Sequence, residues 1–433
     1  MKYILVVFTV VLLAANESYA QQSRNITLAE AVDLGLKNSK QLKLNGAKIK
    51  EAMALIKQAA DRKLPDAGFS GSYLFLPLHP VVDLKTGSGN NNPPAVNQVL
   101  YGTVSVSLPV YTGGRIDYGI EAARIMAEAV KSDSANDRQG VAMSLVSAAV
   151  NIFKTHSAIE LVRENLQLSE QRVKDFSNLE KNGLLARNDL MKAEYQSSGT
   201  ELALLDAETN YKLACTNLNI MTGLPEETVL IPDRSGLALP ATIKTIREYE
   251  QDALQKRNDI AAFGYRGKSA LLGVKIAKAG RFPEVALTGG YIAADIPKFL
   301  SVYNAINIGL GIKYNLGGLW KNKALVDQAT AKWLQVNVTE EILSDNIRMQ
   351  INQVYQAYLL STKKIEVYLK AVDQATENYR VTKNKFDNNL ATATELLDAD
   401  VALLQSRLGV TNAKADSFLA YNRLLQAAGT LSY

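Results

Sequence analysis

The sequence predicts a mixed α and β membrane protein in which one unit (helix, β-hairpin, very long helix, helix) is written twice. Three observations predict it. A secretory leader precedes a chain with no second long apolar span. Short segments of alternating apolar and polar residues appear at equivalent places in two halves. Each half also holds a proline-free run of about 67 residues, longer than an ordinary globular helix.

The leader comes first. Lys2 is followed by an apolar run from Tyr3 to Ala15, and Ser18-Tyr19-Ala20 supplies small residues for a signal peptidase. Cleavage is expected after Ala20, exposing Gln21. The run of 13 apolar residues falls short of the ~20 a transmembrane helix needs. No later stretch reaches 18 apolar residues, so any membrane is expected to be entered by strands. The one cysteine, Cys215, leaves no disulfide, no Cys-based metal cluster and no cysteine at the cleavage site for a lipid anchor. A net charge of +5, with 21% charged and 47% hydrophobic residues, is that of a folded chain. No run of three Lys or Arg occurs, so no nucleic-acid partner is expected.

The duplication is visible at fixed offsets. Thr27-Leu28-Ala29-Glu30 reads as a capping box, with Thr27 capping a helix and Glu30 reaching back. Thr245-Ile246-Arg247-Glu248 repeats it 218 positions on, as Phe282-Pro283 repeats Leu64-Pro65. Gly317-Gly318 follows Gly113-Gly114 at 204, and Asn389, Leu396, Ala399 and Gly429 follow Gly183, Leu190, Ala193 and Gly223 at 206. The expected organisation is a signal peptide at 1–20, a first repeat at 21–223, a linker at 224–245 and a second repeat at 246–433.

Within each repeat the apolar period changes. Residues 28–63 show helical spacing up to Pro65, which cannot continue a helix. Val104, Val106, Leu108 and Val110 then alternate with Thr103, Ser105 and Ser107. Ile306, Ile308, Leu310, Ile312 and Tyr314 alternate with Ala305, Asn307, Gly309, Gly311 and Lys313. Strands are expected at about 67–76, 99–110, 285–293 and 302–314. One face is apolar and the other small and polar, near the ~9–11 residues of a transmembrane strand. The ordinary alternative is a half-buried hairpin packed on a helix. The secretory leader and the repeated apolar face favour membrane lipid against Val104, Val106, Leu108, Ile306, Ile308, Leu310 and Ile312. A polar loop from Pro77 to about Gln98 suits the cell exterior.

The long runs read as helices of about 100 Å at ~1.5 Å per residue. In the second, Ile351, Tyr358, Ile365, Val372 and Tyr379 recur every seven residues beside Ile347, Val354, Ser361 and Tyr368, a heptad seam for neighbouring helices. The chain is expected to reverse at Asn182-Gly183-Leu184 and Asn388-Asn389-Leu390, because Gly and Asn tolerate the left-handed backbone of a tight turn. Glu395 and Asp398 follow the second reversal at a spacing of three, on one helix face. Their counterparts are Asp189 and Lys192, so the acidic pair belongs to one repeat only.

In order, spacing and repetition, these features resemble the TolC family of outer-membrane efflux and secretion channels, from about Ile26 to Gly429. The resemblance implies a homotrimer, with twelve strands in one outer-membrane β-barrel continued by an α-helical coiled-coil periplasmic tunnel. It implies partnership with a periplasmic adaptor (membrane fusion) protein and an inner-membrane pump, RND-type or ABC-type. It places Asn182, Gly183, Leu184, Asn388, Asn389 and Leu390 where an adaptor docks, and Glu395 and Asp398 at an acidic periplasmic gate. Ala391 stands where some relatives carry a basic residue that locks the tunnel. Physics supplies the need for copies: four strands cannot close a barrel, and an open edge in lipid leaves backbone groups unpaired.

Enzyme chemistry finds no support. His79 lies in the polar loop and His156 on a long helix without a partner constellation, and no nucleophile elbow, phosphate loop or metal-ligand spacing occurs. No cofactor or metal is expected. Cys215, between Leu213 and Leu218, reads as a small buried residue. The expected function is passage of small molecules from a pump and adaptor to the cell exterior. An exit duct for type I protein secretion stays open as an alternative, as does a fibrous periplasmic coiled coil without a pore.

Overall fold

The computed structural model describes residues 23–78, 96–233, 238–297 and 300–433. The leader with its cleavage site, and His79, lie outside the described residues. Two compact units share the chain. One gathers Met1–Asn45, Ser134–Asn258 and Ser344–Tyr433; the other gathers Gly46–Asp133 and Asp259–Leu343.

The first repeat supplies β1 (Ser23–Ile26), α1 (Leu28–Asn38), α2 (Lys40–Asp61), β2 (Asp66–Phe75), β3 (Gln98–Tyr111), α3 (Arg115–Lys181) and α4 (Arg187–Thr222). A short strand, β4 (Val229–Pro232), lies in the linker. The second repeat supplies α5 (Ile246–Lys256), α6 (Asn258–Ala279), β5 (Glu284–Ile296), β6 (Leu300–Lys313), α7 (Gly318–Asp387) and α8 (Ala393–Ala427).

The segment 28–63, read as one helix, is two. It breaks at Ser39, whose ψ of 119° leaves the helical region and whose hydroxyl accepts from the Leu42 amide at 3.3 Å. The second repeat breaks at Arg257, again 218 positions on, with ψ 127°. The two capping boxes also differ. At Thr245 both reciprocal bonds form. At Thr27 the hydroxyl accepts the Glu30 amide at 3.2 Å, but the Glu30 carboxylate pairs with Arg24 instead of reaching back. A nearby guanidinium outcompetes a neutral amide for a carboxylate.

In the unit holding the strands, all four form one antiparallel sheet in the order β2-β3-β5-β6. Register sorts its faces. Phe69, Val104, Tyr291 and Ile306 are successive partners across the sheet, as are Ala67, Val106, Gly289 and Ile308. The other face aligns Ser70, Thr103, Ile292 and Ala305, and Gly68, Ser105, Gly290 and Asn307. Ser70 and Thr103 hydroxyls bond at 2.7 Å. The apolar residues of β6 are open to the surroundings, Ile308 at 81% exposure.

The other unit is built on buried helix contacts. Val32 and Leu36 of α1, Leu145, Val146 and Ile152 of α3, Cys215 and Leu218 of α4, Leu230 of β4 and Phe418 of α8 form one core. The linker is tied into it. β1 pairs in parallel with β4, and the Asn219 side-chain amide donates to the carbonyls of Glu226 and Thr228. Along the heptad seam of α7, Ile347, Ile351, Tyr358 and Ser361 are buried. Tyr368 packs where α8 carries Gly409, and any side chain at Gly409 would strike its ring. Cys215 is buried, and burial raises its thiol pKa. His156 packs edge-on against Tyr211, ring centroids 5.4 Å apart, with Nδ1 3.8 Å from the Glu160 carboxylate.

Candidate functional site

The helical reversals lie in the unit without the sheet, and both close in the same way. At the first, the Leu184 amide donates to the Leu179 carbonyl at 2.8 Å and the Gly183 amide to Glu180 at 2.9 Å. At the second, Leu390 donates to Lys385 at 2.7 Å and Asn389 to Phe386 at 2.9 Å. These paired bonds are the Schellman closure, which needs a left-handed residue past the helix end. Gly183 has φ 72° and Asn389 φ 59°. Asn182 and Asn388 each donate a side-chain amide to the carbonyl four residues back, at 2.7 Å. With the turn fully satisfied by backbone and asparagine, Leu184 and Leu390 are left out of it, at 71% and 76% exposure.

The return helices start differently. α4 begins from Ala186 with no side-chain cap. α8 begins from Thr392, whose hydroxyl accepts the Glu395 amide at 3.2 Å, while the Glu395 carboxylate accepts the Thr392 amide at 2.7 Å. That backbone bond, then the Thr392 hydroxyl, holds the Glu395 carboxyl below its ordinary range. Glu395 therefore has a local structural role that the acidic-pair reading overlooked, although Thr-x-x-Glu stood in the sequence. Asp398 is exposed on the same helix and forms no ion pair among the described residues. Lys192 reaches from α4 to the Thr394 hydroxyl at 3.0 Å and to Asp189 at 3.4 Å, bringing the first repeat's cation to the start of α8.

Behind the tips, Phe176, Leu190, Ala193, Ala393, Leu396 and Leu397 are buried together. The sequence reading missed what sits beside this cluster. Arg172 of α3 meets Asp400 of α8 at 2.8 Å and the Tyr379 hydroxyl of α7 at 2.9 Å, with side chains 9% and 2% exposed for Arg172 and Asp400. A signal was present: Asp400 continues the line of Ala393, Leu396 and Leu397, all buried, where an acid needs a partner. Its repeat counterpart, Glu194, is exposed. Among the described residues, no group of His, Cys, Asp and Glu is placed to hold a metal.

A duplicated chain with a four-stranded sheet, one face apolar and exposed, and helices of 67 and 70 residues defines the class of outer-membrane channel proteins. The family model of the outer membrane efflux protein matches residues 31–224 and 250–430, and the chain belongs to that family. It is 22% identical over 364 residues to the outer membrane protein TolC of Vibrio cholerae, covering 82% of this chain and 83% of that one. It is 22% identical over 343 residues to the alkaline protease secretion protein AprF of Pseudomonas aeruginosa, covering 76% and 69%. Among solved structures, the outer membrane protein VceC of Vibrio cholerae superposes with a TM-score of 0.75 at 21% identity, over 93% of this chain and 96% of that one. The open-state MtrE outer membrane channel of Neisseria gonorrhoeae superposes at 0.72 and 18%, over 94% and 89%. Members of the family are trimeric outer-membrane channels that extend into the periplasm and work with adaptors and inner-membrane pumps; they are not enzymes.

Proposed function

We propose that this chain is the outer-membrane duct of a tripartite export system, and that three copies share one barrel with the sheet's apolar face in lipid. On this reading Val104, Val106 and Leu108 of β3 and Ile306, Ile308, Leu310 and Ile312 of β6 contact lipid. The tips, with Asn182, Gly183, Leu184, Asn388, Asn389 and Leu390, receive a periplasmic adaptor. Glu395 and Asp398 ring the periplasmic constriction. Small molecules, drugs and toxic compounds among them, pass outward from an RND-type or ABC-type pump. The observation that supports this most is the register that collects most of the large apolar side chains of four strands on one exposed face. A second reading, the exit duct of a type I protein secretion system, is favoured by the likeness to AprF.

The gate has a direct test. Three copies bring six carboxylates into a narrow bore. At about 6 Å and an effective dielectric near 20, each like-charge pair repels by roughly 3 kcal/mol before screening. Such a ring prefers cations and binds divalent ions. In planar bilayers the wild-type channel is expected to be cation-selective and blocked from the periplasmic side by divalent ions. Glu395→Ala with Asp398→Ala is expected to weaken both while the trimer persists. Asp398→Ala alone, which spares the Thr392 cap, separates bore charge from helix stability. Unchanged selectivity and block in the double variant would remove these residues from the gate.

A further inference from the structure

The exposed apolar surface does not stop where the strands stop. All four crossings between strand and helix carry it: Leu64 before β2, Tyr111 after β3, Phe282 before β5, and Tyr314, Leu316, Leu319 and Trp320 after β6 are exposed. They lie in the sheet-bearing unit and belong to one junction. A side chain at Gly113 would strike Phe282, and one at Gly280 would press on Asn322. Arg115 pairs with Glu284 at 2.7 Å, and Lys63 with Asp117 at 2.5 Å.

A second feature surrounds this patch. Arg62, Lys278, Arg281, Lys321 and Lys323 are exposed and make no ion pair among the described residues, against the unpaired acids Asp61 and Asp66. Each lies within about four residues of an exposed apolar side chain of the junction. Aromatic and aliphatic side chains bounded by flexible cations match the edge of a bilayer. There rings sit at headgroup depth and Lys or Arg stems run along apolar surface to reach phosphate.

From this we infer that the strand–helix junction is a binding surface for anionic phospholipid headgroups of the periplasmic leaflet. Trp320, Leu319 and Phe282 enter the acyl boundary, and Arg281, Lys321 and Lys323 take the phosphates. The inference rests on the reading that the sheet lies in lipid, and it adds where the leaflet ends and which lipid class it selects. The first repeat contributes less. The positions matching Leu319 and Trp320 are Arg115 and Ile116, and Arg115 is already engaged by Glu284.

The chain carries two tryptophans, Trp320 and Trp333, thirteen residues apart on α7. That is about 20 Å along the helix, so each can report alone and the second is a control. Trp333→Phe protein would be reconstituted in mixed phosphatidylcholine and phosphatidylglycerol vesicles with one lipid brominated at a time, and its conductance recorded. Trp320 fluorescence is expected to be quenched by both lipids and more by the brominated anionic one. The enrichment is about five-fold for each basic side chain at the surface, and Arg281→Gln with Lys321→Gln and Lys323→Gln is expected to bring the two lipids toward parity. In Trp320→Phe protein, Trp333 is expected to be unquenched. Equal quenching by the two lipids before any substitution overturns the anionic preference. An unquenched Trp320 in conducting protein means another copy of the chain covers it and overturns the collar, leaving the channel reading intact. Protein that neither inserts nor conducts overturns the channel reading, and the collar with it.

Discussion

At the first tip α4 starts from an uncapped Ala186; at the second, α8 starts from Thr392 locked to Glu395. The turns before them share the Schellman pair and the asparagine side-chain amide donating four residues back, and differ only in the backbone amide before, which reaches Asn178 from Asn182 but Lys385 from Asn388. What the backbone requires is the same in both repeats, and what side chains add is not. The second tip carries the cap, the acidic pair and, through Asp400, the buried ion pair to Arg172. The first offers Lys192 to its neighbour's Thr394. The difference makes α8 the better-fastened of the two return helices. It also gives that helix charges that the turn geometry does not need.

The strongest way to break the comparison is at the exposed leucines, which the two tips share. If both tips dock an adaptor, Leu184→Asp and Leu390→Asp together are expected to abolish export while the trimer still reaches the membrane. Each alone is expected to cost export similarly. Substrate-accumulation assays with quantified outer-membrane protein read this, and normal export in the double variant would reduce the tips to turns. Next in size is the ion pair. Asp400→Ala leaves Arg172 buried without its carboxylate, a loss of about 3–5 kcal/mol. Glu194→Ala at the matching exposed position is expected to stay within about 0.5 kcal/mol. Thermal unfolding in detergent compares the two.

The smallest effects sharpen the comparison. Thr392→Ala is expected to cost about 1 kcal/mol, and Ala186→Thr with Asp189→Glu to add a comparable amount by giving the first tip the second tip's cap. The Glu395 end of the box is also acid-sensitive. Its carboxyl is held below the ordinary glutamate value of 4.5, so its contribution is present above that value and is lost as pH falls through the lowered one. The protection factors of the first α8 amides, corrected for the intrinsic pH dependence of exchange, are expected to fall on acidification below about 4.5, while those of α4 do not.

Much of this was legible. Strands appear at Gln98–Tyr111 and Leu300–Lys313, where period-two alternation placed them, and at Asp66–Phe75 and Glu284–Ile296, where partner strands were expected. The reversals appear where Gly183 and Asn389 supplied left-handed backbone. The breaks at Ser39 and Arg257 were not read, although the Ser39 hydroxyl caps the helix that follows it, a residue type that favours such a start. β4 was hidden inside a proline-rich linker, and its four residues are shorter than any periodicity can register. The Arg172–Asp400 pair joins positions 228 apart in sequence. Spacing rules describe one helix at a time and do not reach across three. The Glu30 carboxylate was assigned by motif alone, and the motif could not see Arg24.

Among the described residues, β2 and β6 each leave one side without a partner strand. On the shared-barrel reading, that incompleteness sets the order of events in the cell. A single copy has nothing to gain by entering lipid, so delivery to the membrane waits on an encounter between copies. The yield of finished channels then rises more steeply than the amount of chain made, and halving synthesis removes more than half of them. It also makes the assembly vulnerable to its own mutants. A copy that binds its neighbours but spoils the seam withdraws sound copies from use, so one faulty gene beside a normal one silences more than its share.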